Sequence, residues 1–197
     1  MKKILILTLL LLTVASSSHS REVRMGATEL SFVIEDVLGA LPPRYSNYKM
    51  DLHELLLFTS QAESDLYFHT KTRFASPIMQ IEYVTVNYLN KHILPKNKEL
   101  RSIRNHAMSF LGELQSFEEL EIEERLKRDI WLEVGYALIL YLHRIKNIAD
   151  LKHLDGMANA YKDYYNTHLG KGSTENFKRK SSAVRSRLNE ENQILGN

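Results

Sequence analysis

The sequence predicts an all-α protein with a single main domain. Glycine and proline number only eight and four in 197 residues, so little interrupts the chain. Apolar residues recur at three- and four-residue spacing over long segments, the mark of helices that bury one face. There is no cysteine, which excludes disulfides, zinc thiolates and a cysteine nucleophile.

Met1-Lys2-Lys3 is a short basic start, and Ile4 to Ala15 is apolar apart from Thr8 and Thr13. A run of small polar residues reaches Ser20. This layout is that of a secretory signal peptide over residues 1–20, with a mature chain from Arg21 or from an earlier cut after Ala15, Ser16 or Ser17. The apolar run is too short to span a bilayer, which takes about 20 residues. An exported protein, periplasmic or extracellular and with no membrane span after cleavage, is the expectation.

Residues 21–49 read as an N-terminal helical extension. Leu30, Val33, Ile34, Val37 and Leu38 keep helical spacing, and Pro42-Pro43 ends that helix. Asp51 is a plausible N-cap for the next helix, which carries Leu52, Leu55, Leu56, Thr59 and Ala62 on one face and Glu63 at its end. Residues 65–78 lack a period and read as loop. Residues 81–93 allow two readings. Tyr83-Val84-Thr85-Val86 suits a strand, but Ile81, Val84, Tyr88 and His92 keep helical spacing, and a helix is predicted. Another helix is expected over 99–114. The run 118–145 reads as one long helix with Gly135 inside it, where a glycine suggests close approach of another segment. A shorter helix over 155–165 precedes Gly170 and Gly172. Residues 173–197 read as a polar, basic helix or tail.

Lys2 and Lys3 account for two of the 26 basic residues, so residues 21–197 carry 24 charges of each sign. A balanced chain of this kind does not read as a nucleic-acid binder. Acidic residues concentrate in 113–124 and basic ones in 171–187; two solvated helix faces account for this, and contact of the basic stretch with an anionic polymer is the sharper alternative. Asp150 and His153 share a helical spacing but make no metal site, and no His-Glu-x-x-His, phosphate loop or Gly-x-Ser-x-Gly elbow is present. No cofactor or metal is expected.

Three segments carry the chemistry. Gln61-Ala62-Glu63-Ser64 comes first, Pro77-Ile78-Met79-Gln80 follows, and Tyr164-Tyr165-Asn166 comes late. In this order, residues 50–172 resemble the lytic transglycosylases and goose-type lysozymes, which cut the glycan strands of peptidoglycan. Their pattern is Glu-Ser, then Gly-Leu-Met-Gln, then Ala-Tyr-Asn. Glu63-Ser64 matches directly, Met79-Gln80 matches the second segment, and Tyr165-Asn166 the third. Pro77 stands in place of the glycine, and Thr167-His168-Leu169 in place of the residues after Asn.

The resemblance implies a lysozyme-like fold with Glu63 as catalytic acid/base. It also implies Ser64 hydrogen-bonding in the site, Met79 and Gln80 lining the glycan subsites, and Tyr165 beside Glu63 with Asn166 close by. A glutamate at the end of an apolar helix face suits the task, because desolvation keeps it protonated near neutral pH. Hydrolysis asks for a second carboxylate to activate water. Asp65 and Glu82 are the nearest, and neither has a partner motif. The single-acid transglycosylase route, ending in a 1,6-anhydro ring, is therefore favoured. The competing class is an exported, non-catalytic helical protein that binds cell-wall glycan or a secretion or lysis partner.

Overall fold

The computed structural model describes residues 23–68, 75–111, 121–166 and 172–195. The expected signal segment, most of the acidic stretch, Gly170 and residues 167–169 lie outside them. The described chain is mainly helical. It runs β1 (Val23–Arg24), α1 (Ala27–Val37), α2 (Lys49–Ser64), β2 (Tyr67–Phe68), α3 (Tyr83–Tyr88), α4 (Lys98–Ser109), α5 (Ile122–Leu126), α6 (Ile130–Arg144), α7 (Leu154–Ala160) and α8 (Thr174–Leu195). β1 and β2 form a two-residue antiparallel ladder, Val23 opposite Phe68 and Arg24 opposite Tyr67.

Two helices form the centre. In α6, Leu132, Val134, Tyr136, Ala137, Leu138, Ile139 and Tyr141 are all buried. In α2, Leu52 and every residue from Leu55 to Ala62 are buried. A helix buried all round is a core helix. α1 and α8 pack on α2, and α4 packs on α6. Gly135 marks the α4–α6 contact: a Cβ there would lie 2.8 Å from the Ala107 Cβ. Bulk at this position would force the two helices apart.

Several boundaries differ from the sequence expectation. α2 begins two residues before Asp51, which lies in its first turn. Within 81–93 the chain is helical from Tyr83, as α3 continued by a wide π turn over Leu89–Ile93, while Glu82 is extended and bridges Ala75. The single helix expected over 118–145 is two. Asp129 divides them: its side chain accepts the Leu132 N–H at 3.0 Å and so caps α6. An Asp that captures a backbone donor starts a helix more readily than it continues one.

The C-terminal segment is an anchored helix. Phe177 and Val184 of α8 are buried in the same core as Leu30, Ile34 and Val37 of α1. Its charges face inward partners as well as solvent. Arg185 Nη2 donates to Glu54, Arg187 Nη1 to Gln61, and Lys180 Nζ to Asp65. Glu191 accepts the Ala27 and Thr28 N–H groups at 3.2 and 2.7 Å, capping α1 from the far end of the chain.

Candidate active site around Glu63

Glu63 occupies the last turn of α2, where the chain must turn sharply. Asp65 and Leu66 follow in the left-handed region, at φ 54° and 65°. Such backbone costs a non-glycine residue about 1–2 kcal/mol, so surrounding contacts must hold it. Asp65 is held twice: Gln61 Nε2 donates to Oδ1 at 2.8 Å, and Lys180 Nζ to Oδ2 at 3.1 Å. Lys180 also donates to the Ala62 carbonyl at 3.0 Å. The turn leaves Glu63 half-buried at the end of a core helix.

Two side chains from one distant turn meet this carboxyl. Tyr161 Oη donates to Glu63 Oε1 at 2.9 Å, and Asn166 Nδ2 donates to the same oxygen at 3.1 Å. Oε2 takes neither bond. The orientation of the Asn166 amide follows from its other end, since Oδ1 accepts the Gly172 N–H at 2.9 Å. Gly172 has to be glycine for this: a Cβ would lie 2.4 Å from the Tyr161 hydroxyl.

Residues Tyr161–Tyr165 form a π turn, closed by the Asn166 N–H donating to the Tyr161 carbonyl at 2.8 Å. In an α-helix, residues five apart point about 140° away from each other. The wider turn brings Tyr161 and Asn166 to one oxygen. Behind them the rings form a continuous stack. Phe177 lies 4.7 Å from Tyr161, Tyr161 lies 6.4 Å from Tyr165, and Tyr165 lies 5.2 Å from Tyr141. Tyr141 Oη in turn shares a 2.7 Å hydrogen bond with Thr59, one turn before Glu63.

Burial pushes the Glu63 carboxyl above the usual glutamate range. The hydrogen bonds from Asn166 and Tyr161 and the charge of Lys180 act against that rise without reversing it. The position at a helix C-terminus adds to it, because the partial negative charge there disfavours a carboxylate. Burial and the neighbouring Glu63 push the Tyr161 hydroxyl far up, so it stays a donor.

No protein-family model, no curated protein and no solved structure matches the chain.

The other sequence-predicted residues are placed as follows. Tyr165 lies in the ring stack, but its hydroxyl donates to the Met79 carbonyl at 2.7 Å, and Tyr161 makes the bond to Glu63 that was expected of it. Ser64 is buried, and its hydroxyl donates to Ser60 O of its own helix, so its proton is not offered to a ligand. Met79 is 0% exposed, so its side chain cannot line an open subsite. Gln80 is half-buried at φ 53°, and its Nε2 donates to Ser76 O and Pro77 O of its own turn at 2.8 and 2.7 Å. Of the two candidate second carboxylates, Asp65 is committed to Lys180 and Gln61, and Glu82 is exposed at the start of α3. Among the described residues no group of acidic and imidazole side chains could hold a metal ion.

Tyr161, Lys180 and Glu133 escaped the sequence reading. Glu133 carried a signal, as the only charge in the apolar run from Ile130 to Leu142. It is wholly buried, and Oε2 accepts the Ile78 and Met79 N–H groups at 2.9 and 3.0 Å. Tyr161 carried none, since its role depends on the π turn.

Proposed function

We propose that the chain is a peptidoglycan-cleaving enzyme of lysozyme-like type, a lytic transglycosylase with Glu63 as its only acid/base. One observation carries this reading: Glu63 is a half-buried carboxyl whose pKa is raised and whose two donors both reach Oε1. An oxygen that already accepts two hydrogen bonds is the poorer place for a proton, so the acidic proton sits on Oε2. That leaves Oε2 as the oxygen that can give up a proton, which the acid of this reaction must do.

The chemistry follows. Neutral Glu63 gives its Oε2 proton to the bridging oxygen of a MurNAc–GlcNAc β-1,4 bond as the C1–O bond breaks. The sugar's acetamido oxygen stabilises the cation at C1. Glu63, now a carboxylate, takes the proton from the sugar's 6-hydroxyl, and that oxygen closes on C1 to form the 1,6-anhydro ring. The proton lost from the 6-hydroxyl balances the one given to the leaving oxygen, and Glu63 returns to its starting state. Tyr161 and Asn166 hold the carboxylate through the charged interval and keep its geometry fixed.

The single-acid route is supported by the commitment of Asp65 to Lys180 and by the exposure of Glu82. Export to the compartment of the cell wall belongs to the same reading. The test is the structure of the muropeptides released from purified peptidoglycan. Anhydro ends are expected. Reducing ends would make the protein a hydrolase, and no release would favour a non-catalytic glycan- or partner-binding protein. Mass spectrometry of exported protein should show an N-terminus near Arg21, and an intact Met1 on a membrane-bound product would overturn export as a cleaved protein.

A further inference from the structure

Among the described residues, Glu133 is the one fully buried carboxyl that the cleavage chemistry does not use and that still touches a segment of the candidate site. Its partners are backbone groups. The Ile78 and Met79 N–H groups lie in the turn 77–79, which contains no helix or sheet to satisfy them. A buried amide without a partner is costly, so a turn that packs this deeply needs an acceptor brought from elsewhere. Glu133 supplies it with one oxygen. The other, Oε1, is buried without a hydrogen-bond partner of normal geometry.

The same turn is held from the opposite side. Tyr165 Oη donates to the Met79 carbonyl at 2.7 Å, and the Tyr165 ring stacks on Tyr161, which holds Glu63. Gln80 is kept in left-handed backbone at the end of the turn, with its amide folded onto Ser76 and Pro77. Two contacts on the Met79 peptide, one to N–H and one to C=O, fix the distance between the turn and the ring stack that orients the acid.

We propose that Glu133 is a positioning residue: by holding the Ile78 and Met79 amides it sets the Pro77–Gln80 turn against the Glu63 site, and so fixes how a glycan strand is bound. This rests on the glycan-cleaving reading above. Glu133 touches no substrate, and its effect reaches the reaction through the turn. Loss of its oxygen therefore weakens substrate binding more than it slows the chemical step.

The test compares Glu133→Gln, Glu133→Asp and Glu133→Leu in the full-length protein. Hydrogen–deuterium exchange reads the Ile78 and Met79 amides, and steady-state cleavage of purified glycan strands reads KM and kcat separately. Gln keeps an oxygen where Oε2 lies, so protection and KM should stay within about threefold of wild type. Leu removes the acceptor. Both amides should then exchange at least about tenfold faster and KM should rise about tenfold, with kcat changed less, the scale expected for losing hydrogen bonds to a buried acceptor. Asp keeps the carboxyl and draws its oxygens back by one methylene. It should show the same KM rise, which keeps the test decisive if Leu fails to fold. Wild-type protection and KM in Asp or Leu overturn the positioning role alone. No product from the wild-type protein overturns the glycan-cleaving reading, and the positioning role with it.

Discussion

Glu63 and Glu133 are the same side chain under the same kind of pressure, with opposite surroundings. Both sit on core helices, and burial raises both above the usual glutamate range, Glu133 to about 8. Glu63 takes its donors from side chains, both on Oε1, and remains half-buried. Glu133 takes backbone amides, both on Oε2, and is 0% exposed. A perturbed carboxyl is a functional candidate only in outline. What separates the two is access and the kind of donor. An acid must reach a leaving group and must cycle a proton, which side-chain donors on one oxygen allow. A carboxyl sealed among backbone amides holds a fold segment in place and has no route to a substrate.

The largest effect should come from removing the proton cycle at one glutamate and not the other. Glu63→Gln should lower cell-wall clearing by at least about a hundredfold, since general acid catalysis contributes roughly 10²–10⁴-fold. Glu133→Gln, with the acceptor oxygen kept, should stay within about threefold of wild type. Circular dichroism would check that both are folded. More than about a tenth of wild-type activity in Glu63→Gln sinks the assignment of the acid and collapses the contrast.

The two glutamates were not equally legible. Glu63-Ser64 and Asn166 stand in segments that can be compared as strings, and the all-helical character follows from spacing and from the scarcity of breakers. The partner on Glu63 was misassigned by four residues, from Tyr161 to Tyr165. A 3.6-residue period places Tyr161 and Asn166 on different sides of the helix, and only the π turn over 161–165 joins them at one oxygen. The break at Asp129 was hidden for a related reason: the apolar rhythm continues through 122–142, and only the side-chain bond to Leu132 shows where one helix stops. Glu133 stood out as a lone charge in an apolar run. Its partners are peptide groups more than fifty residues away, which no side-chain pattern records. Lys180 belongs to a stretch that read as a solvated basic face, yet it holds the Ala62 carbonyl and Asp65 at the end of α2.

The contrast sharpens in stability against pH. The folded Glu133 value near 8 lies above the ordinary 4.5. The folded state therefore binds this proton more tightly than the unfolded chain does. The stabilisation is fully present below about pH 4.5 and is lost as the pH rises through about 8. Its causes are burial first and the nearby Asp129 carboxyl last, with the Met79 and Ile78 amides and Ser76 opposing. Asp129, pushed by burial to about 6, has the same sign but titrates lower. His53 is pushed down by burial, so its opposite contribution ends near its ordinary value of 6.5. Between pH 6.5 and 8, Glu133 should therefore dominate the difference between variants, with Glu63→Gln as the background to remove the titration of Glu63. Urea unfolding there should show stability falling with pH at up to about 1.4 kcal/mol per unit, and Glu133→Gln should flatten it. An unchanged slope would mean that Glu133 is already ionised, and the two glutamates would then differ in charge as well as in access.

The smallest effect separates the two tyrosines that connect these regions. Tyr161 donates to Glu63, whereas Tyr165 donates to the Met79 carbonyl of the turn that Glu133 holds. In Tyr161→Phe the ring still stacks on Phe177 and Tyr165, and only the hydroxyl is lost. That hydroxyl lowers the Glu63 pKa, so its removal should raise it. The proposed reaction starts from protonated Glu63, so activity should disappear at high pH as that proton is lost. The upper limb of the kcat–pH profile should therefore move to higher pH in Tyr161→Phe. Turnover at the optimum should fall about fivefold, the scale of one hydrogen bond of about 1 kcal/mol. Tyr165→Phe frees a carbonyl of the turn and leaves both donors on Glu63 Oε1 in place. It should raise KM modestly and leave the limb where it is. A limb that moves in Tyr165→Phe and stays fixed in Tyr161→Phe would reverse the assignment and return Tyr165 to the side of the acid. A limb that moves in both would join the two regions into one electrostatic unit, coupled through the stacked rings.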